Sequence, residues 1–125
     1  MPRTREAFQD FAGFCERSGL VCLVAVAPPA FVVHTERVAP TFSLLEVAGE
    51  PDLERPATAL LKALPRDLAA LDLTPALRAA AEQGPTYFTF DGHWNARGHE
   101  AAAAAMAGRL SEPDLAGGLK EAAGE

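Results

Sequence analysis

The sequence has few of the residues on which metal sites and nucleic-acid surfaces depend. It contains two cysteines and three histidines, and the cysteines lack the close spacing of a structural zinc site. Lysine and arginine number 11 against 17 aspartates and glutamates, which gives a net charge of −6. Nucleic-acid surfaces are usually basic, so we expect no nucleic-acid partner. We also expect no metal and no cofactor.

No apolar run in the chain is long enough to cross a membrane. The longest, residues 20–33, is interrupted by two consecutive prolines, and a membrane helix needs about 20 apolar residues. The first residues mix acids with basic residues and lack the apolar segment of a signal peptide. We therefore expect the chain as written to stay in the cytoplasm. Export, for example to the periplasm, is the expectation only if the true start lies upstream.

The two cysteines, Cys15 and Cys22, are seven residues apart. Cys15 falls on the apolar face of a predicted helix and Cys22 in a predicted strand. We interpret both as small buried hydrophobic residues. A disulfide between them stays open as an alternative, because spacing alone does not establish one.

The order of apolar patterns predicts an α/β domain. Apolar residues make up 49% of the chain and charged residues 22%, which favours a folded chain over a disordered one. Alternation of helices and strands is typical of a parallel sheet with helices packed on it. The predicted elements are helix 4–18, strand 20–27, a helix beginning at Pro56, strand 68–73, helix 74–84, short strand 86–90 and a last helix from Asn95 to about Leu110. Residues 1–110 are expected to form one domain, and residues 111–125 a loose polar tail.

The stretch "DGHWN", residues 91–95, carries the clearest chemical signal. It lies between a predicted strand and the last helix, where active sites of open α/β sheets form. A carboxylate at Asp91 can orient a histidine base at His93 and stabilise its imidazolium form. Gly92 allows a tight turn between the two, and Asn95 can cap the following helix.

The block "DGHWNARGHEAAAAAMAGRL" resembles the C-terminal block of SGNH hydrolases, also called the GDSL esterase/lipase family. The resemblance covers roughly residues 5–110. It implies a partial three-layer, flavodoxin-like fold with a small parallel sheet flanked by helices. It also implies that Asp91 and His93 are the catalytic acid and base.

The nucleophile block of that family is missing from the sequence. No Gly-Asp-Ser motif occurs, and the only serines are Ser18, Ser43 and Ser111. None of them follows a predicted strand in a tight glycine turn. If a serine of this chain is the nucleophile, Ser43 is the candidate.

Several nearby residues have two interpretations each. Trp94 can pack over the loop or form a substrate platform, and Arg97 can be a solvated helix residue or contact an anionic substrate group. Asp91, His93 and His99 together lack the further strong ligand that a metal site needs.

Two functions from different classes remain. The first is a half-domain of an SGNH-type serine esterase or acyltransferase. It would act on small-molecule or carbohydrate esters, with O-acetyl groups as one candidate, once a nucleophile is supplied. We expect the chain to be a C-terminal fragment of a longer protein. The alternatives are completion by a nucleophile-bearing partner chain or a second copy, and use of an atypical serine such as Ser43. The second is a non-catalytic remnant that binds a partner through its unpaired sheet edge.

Overall fold

The computed structural model describes residues 2–122 as an α/β fold whose sheet has two parallel strands. Strand β1 spans Leu23–Val26 and strand β2 spans Ala69–Asp72, and they pair in parallel from Leu23 opposite Ala69 to Val26 opposite Asp72. Parallel pairing requires a crossover connection, here the helical segment between residues 30 and 63. The predicted small parallel sheet flanked by helices is confirmed, although both strands are shorter than the apolar patterns predicted.

Seven α-helices surround this sheet in the described part of the chain. A one-turn 3-10 helix over Thr35–Arg37 joins two of them. The α-helices are α1 (Pro2–Arg17), α2 (Ala30–Val33), α3 (Val38–Leu44), α4 (Arg55–Ala63), α5 (Thr74–Ala81), α6 (Ala96–Leu110) and α7 (Pro113–Ala122).

The core lies where α2, α5 and α6 meet. Its fully or nearly fully buried members are Val33, Leu73, Leu77, Tyr87 and Ala102. The alanine-rich sequence of α6 follows from this packing, because small side chains let the helix lie close to α5. Residues 86–90, predicted as a strand, do not join the sheet. They form one isolated antiparallel bridge, between Tyr87 and Trp94.

Within the predicted loose tail of residues 111–125, residues 113–122 are helical, and residues 123–125 lie outside the described part of the chain. Helix α7 covers Pro113–Ala122, and Leu115 on it is buried. The guanidinium of Arg109 forms ion pairs with Asp114 at 2.9 Å and with Glu112 at 3.0 Å. These contacts join α7 to the end of α6.

Cys15 and Cys22 form a disulfide rather than two separate buried thiols. Helix α1 ends at Arg17, and the chain turns at Gly19, which has a φ of 61°. The amides of Gly19 and Leu20 donate to the carbonyls of Glu16 and Cys15 at 3.1 and 2.9 Å, a glycine-terminated helix end. This reversal brings the two cysteine Cα atoms to 6.3 Å, which is within the range that a disulfide spans.

No helix in the described residues is both long and apolar enough to span a membrane.

Reduction of the disulfide should destabilise the protein measurably. Opening a loop of this length costs about 2 to 3 kcal/mol in the chain-entropy model. We expect reductant to lower the free energy of unfolding of the unsubstituted protein in urea by that amount. The free energy of unfolding of the Cys15→Ala/Cys22→Ala double variant should be the same with and without reductant. A reductant-insensitive unfolding curve for the unsubstituted protein would mean that the bond does not form.

Candidate active site

The loop before α6 brings Asp91 and His93 into direct contact. The His93 ring Nδ1 hydrogen-bonds the Asp91 Oδ1, and the His93 backbone N–H donates to the same oxygen at 2.8 Å. Both side chains are open to solvent, with 85% of the His93 side chain and 54% of the Asp91 side chain exposed. The carboxylate therefore orients the imidazole through Nδ1 and leaves Nε2 free to meet a reacting group.

The electrostatics of Asp91 follow from the same two bonds. The backbone N–H of His93, followed by its ring, holds the pKa of the Asp91 carboxyl below its ordinary value of 3.8. Asp91 is consequently ionised throughout the neutral range. An ionised carboxylate at Nδ1 favours the tautomer that carries its proton there, and it stabilises a positive charge on the ring.

Asn95 closes the loop, as its position before the last helix predicts. Its side-chain oxygen accepts a hydrogen bond from the Gly98 amide at 3.1 Å, so it is the cap of α6. Its side-chain nitrogen donates to the Pro85 carbonyl at 2.7 Å, and its backbone N–H donates to the Thr86 carbonyl at 3.0 Å. One residue thus joins the entry and the exit of the loop.

Gly98 allows the first turn of α6 to approach the segment that enters the loop. A Cβ atom at this position would lie 2.1 Å from the Thr86 carbonyl oxygen and 2.9 Å from the Trp94 Cβ. No side chain can occupy that space without moving the backbone. The glycine therefore lets the helix pack directly against Thr86, in the segment that enters the loop.

Tyr87 is a residue of the site that the sequence did not reveal. Its hydroxyl donates to the Pro28 carbonyl at 2.6 Å, and its side chain is almost fully buried. Burial raises the pKa of this hydroxyl above its ordinary value. Because Pro28 lies just after β1, the bond places the loop at the carboxyl end of that strand. The two residues are 59 positions apart, so no local pattern could have found the pair.

Two hollows flank the Asp91–His93 pair. A cavity of about 200 Å³ lies on the His93 side, and a more apolar groove of about 620 Å³ lies on the Asp91 side. The small cavity is lined by Ala27, Pro28, Tyr87, Gly92, His93, Trp94 and His99. Since Ala27 and Pro28 follow β1, the pair lies at the strand end where the alternating pattern predicted a site.

Of the two other candidate residues, Trp94 lies at the site and Arg97 lies away from it. Trp94 is half-buried, packs against the core and meets the His99 ring edge-on at 5.5 Å between ring centroids. It also lines the small cavity, so both interpretations of Trp94 fit its position. The Arg97 guanidinium lies beside Gly84 instead, and it lines neither hollow.

No serine is in place to act with His93. Ser43 lies exposed in α3, and the Ser111 hydroxyl donates to the Ala107 carbonyl at 2.8 Å. Among residues 2–122, none of the three serines hydrogen-bonds His93, and no group of three or more potential metal ligands occurs. The described site holds an acid and a base without a nucleophile.

Comparison with known protein families identifies the family of this chain. The family model described as "SGNH hydrolase-like domain, acetyltransferase AlgX" matches residues 1–124, so the chain belongs to this family. No curated protein and no solved structure matches the chain.

Replacement of Gly98 should disrupt the loop. In Gly98→Ala the methyl group meets a backbone carbonyl, which cannot move aside as a flexible side chain would, and we expect a loss of about 2 kcal/mol or more. Gly108→Ala, in the same helix with open space at its Cβ position, should instead gain roughly 0.5 to 1 kcal/mol. Chemical unfolding of both variants tests the contrast, and equal effects would contradict the close approach.

The Asp91–His93 hydrogen bonds should stabilise the folded protein at neutral pH and cease to do so at low pH. The folded-state pKa of Asp91 lies below its ordinary value, so the contribution is present above about pH 5 and is lost as the pH falls through the folded-state pKa. We expect the stability difference between the unsubstituted protein and Asp91→Asn to shrink over that range. Carboxyl-carbon NMR titration measures the pKa directly, and a midpoint at or above the ordinary value would contradict the contact.

Proposed function

We propose that this chain supplies the acid–base half of an SGNH acyl-transfer site, with His93 as the base and Asp91 as its orienting carboxylate. The observation that carries the proposal is the hydrogen bond between Asp91 and Nδ1 of His93. That bond leaves Nε2 as the only ring nitrogen able to exchange a proton with a reacting hydroxyl. Membership of a family described as an acetyltransferase supports acyl transfer as the reaction class.

The proposed chemistry requires a hydroxyl nucleophile and an ester. The hydroxyl oxygen attacks the acyl carbon while its proton passes to Nε2 of His93, and Asp91 stabilises the resulting imidazolium. The same proton then moves to the oxygen of the departing alcohol. The acyl group next passes to water or to an acceptor hydroxyl by the same sequence of transfers. We infer an O-acyl group on a carbohydrate or a small alcohol as the substrate, with acetyl as the first candidate.

The nucleophile comes, in this proposal, from a segment or chain outside residues 2–122. The absence of a serine bonded to His93 within that range supports this inference. The open position of the imidazole supports it too, since a partner can reach Nε2 without rearranging the loop. Ser43 remains the alternative nucleophile within the chain, and it would have to approach from α3.

A binding remnant without catalysis is the second candidate function. Phe90 is fully exposed and Leu44 is 83% exposed, and both line the groove beside Asp91. Exposed apolar side chains around a groove are typical of a surface that another protein covers. Such a surface would serve a completed enzyme and a non-catalytic partner equally, so only the chemistry of His93 distinguishes them.

We also infer that the chain folds in an oxidising compartment such as the periplasm. The Cys15–Cys22 disulfide supports this inference, because structural disulfides are rare in the reducing cytosol. Free-thiol counting on protein isolated from its native compartment tests it. Two titratable thiols without denaturation or reduction would favour the cytoplasm instead.

A fluorophosphonate probe tests the half-site. We expect the intact mass of the isolated chain to show no adduct, because no serine is activated by His93. An adduct that vanishes in both His93→Ala and Ser43→Ala would identify Ser43 as the nucleophile and overturn the need for a partner. An adduct that persists in His93→Ala would contradict the role of His93 as base.

Diethylpyrocarbonate, which modifies unprotonated imidazole, separates the half-site from the binding remnant. At pH 8 we expect Asp91→Asn to slow the modification of His93 and to leave His99 unaffected. His99 is the matched control because it is also exposed and hydrogen-bonds no carboxylate in the described structure. Equal rates for His93 with and without the carboxylate would remove the coupling on which the catalytic proposal depends.

A further inference from the structure

Two side chains from the first half of the chain contact residues 86–88. We call these residues the entry segment, because they lead into the catalytic loop, which carries Asp91 and His93. His34, at the end of α2, is buried, and its Nε2 lies 3.2 Å from the Thr86 amide nitrogen and 3.0 Å from the Thr86 hydroxyl. Arg37, one turn further on, donates from Nη1 to the Phe88 carbonyl at 3.0 Å. We call this pair the His34–Arg37 clamp.

The chemistry of His34 fixes its role in the clamp. The Thr86 N–H can only donate, so Nε2 of His34 must accept and carries no proton. The ring proton is then on Nδ1, which faces the Glu36 carboxylate at 3.6 Å. Thr86 is fully buried, so its amide depends on His34 rather than on solvent in this structure, and a buried unpaired amide is costly.

The clamp completes the hydrogen bonding of the entry segment. Thr86 and Phe88 have four backbone polar groups between them. The clamp takes the Thr86 N–H and the Phe88 carbonyl. The exit of the catalytic loop takes the other two, because the Asn95 amide donates to the Thr86 carbonyl and the Phe88 amide donates to the His93 carbonyl at 3.1 Å.

The entry segment is therefore held between the clamp on one side and the catalytic loop on the other. His93 is bonded directly to Phe88 through its own carbonyl, and Phe88 is bonded directly to Arg37. A displacement of Arg37 can therefore be transmitted to His93 through the Arg37–Phe88 and Phe88–His93 hydrogen bonds, with Phe88 as the residue between them. Neither clamp residue contacts Asp91 or His93 through a hydrogen bond in the described structure.

We propose that His34 and Arg37 are positioning residues that set the place of the Asp91–His93 pair by holding Thr86 and Phe88. The chemical role of the Asp91–His93 pair rests on the proposed function. The position in which the clamp holds the pair does not depend on that function. Arg37 is the better residue to test, because it lies at the edge of the groove and its removal opens no core. His34 supports the buried end of the same segment.

The test compares Arg37→Met, which keeps the apolar stem and removes the donor, with Arg37→Lys, which retains one donor. One lost hydrogen bond should speed amide hydrogen exchange at Phe88 by roughly two- to tenfold. We expect the same variant to move the Asp91 pKa, followed by carboxyl-carbon NMR, back toward its ordinary value. Arg37→Lys should restore both readouts in part. Arg66→Met is the matched control, since Arg66 is an exposed arginine with no ion pair or hydrogen bond to its side chain among those described.

The Asp91 pKa distinguishes positioning from general stability. A lower melting temperature in Arg37→Met with an unchanged Asp91 pKa would reduce Arg37 to a structural residue and overturn the proposal. Unchanged exchange at Phe88 would overturn it as well. Neither readout needs a substrate. A negative result here would therefore overturn the clamp without bearing on the proposed acyl-transfer function, which has its own tests.

Discussion

The candidate site depends on the hydrogen bonds of Asn95. This one side chain caps α6, and it also bonds the segment on the opposite side of the loop that carries Asp91 and His93. The approach is possible only because Gly98 presents no side chain to the Thr86 carbonyl. The nine residues between Pro85 and Asn95 would otherwise form an open loop, and these bonds join its two ends. Within that closure the short Asp91–Gly92–His93 turn needs only its own local bonds to bring the acid and the base together.

A second constraint places the closed loop on the sheet. The Tyr87 hydroxyl bonds the carbonyl of Pro28, the second residue beyond β1, and His34 and Arg37 hold the residues on either side of Tyr87. Three consecutive residues, 86 to 88, are thus fixed from different directions by groups that follow β1 in the chain. The exposed histidine is consequently held by a buried framework. That arrangement gives a base that is accessible to a partner and still defined in position.

The predictable parts of this molecule are those encoded by neighbours in sequence. The alternation of apolar patterns gives both strands and the main helices, and the "DGHWN" stretch gives the acid–base contact and the helix cap, because each depends on residues a few positions apart. The contacts that locate the site were not predictable in this way. Tyr87 and Pro28 are separated by 59 positions, and His34 and Thr86 by 52. The disulfide was missed for a related reason, since it depends on the turn that follows α1. Helix α7 was missed because its sequence is polar and contains two glycines, which is typical of a loop.

The exposure of His93 has a consequence for catalysis. In water, the attraction between a carboxylate and an imidazolium is weak because the solvent screens it, and it strengthens severalfold once solvent is displaced. Preorganised charges stabilise a transition state most effectively in a site from which water is excluded. For the proposed acyl transfer, the open Asp91–His93 pair has the required hydrogen bond, but it lies in water rather than in a site from which water is excluded. A partner surface that covers the apolar groove beside Phe90 and brings in a hydroxyl would supply the nucleophile and remove the water in the same step. Completion of the site and activation of its base are, on this argument, one event.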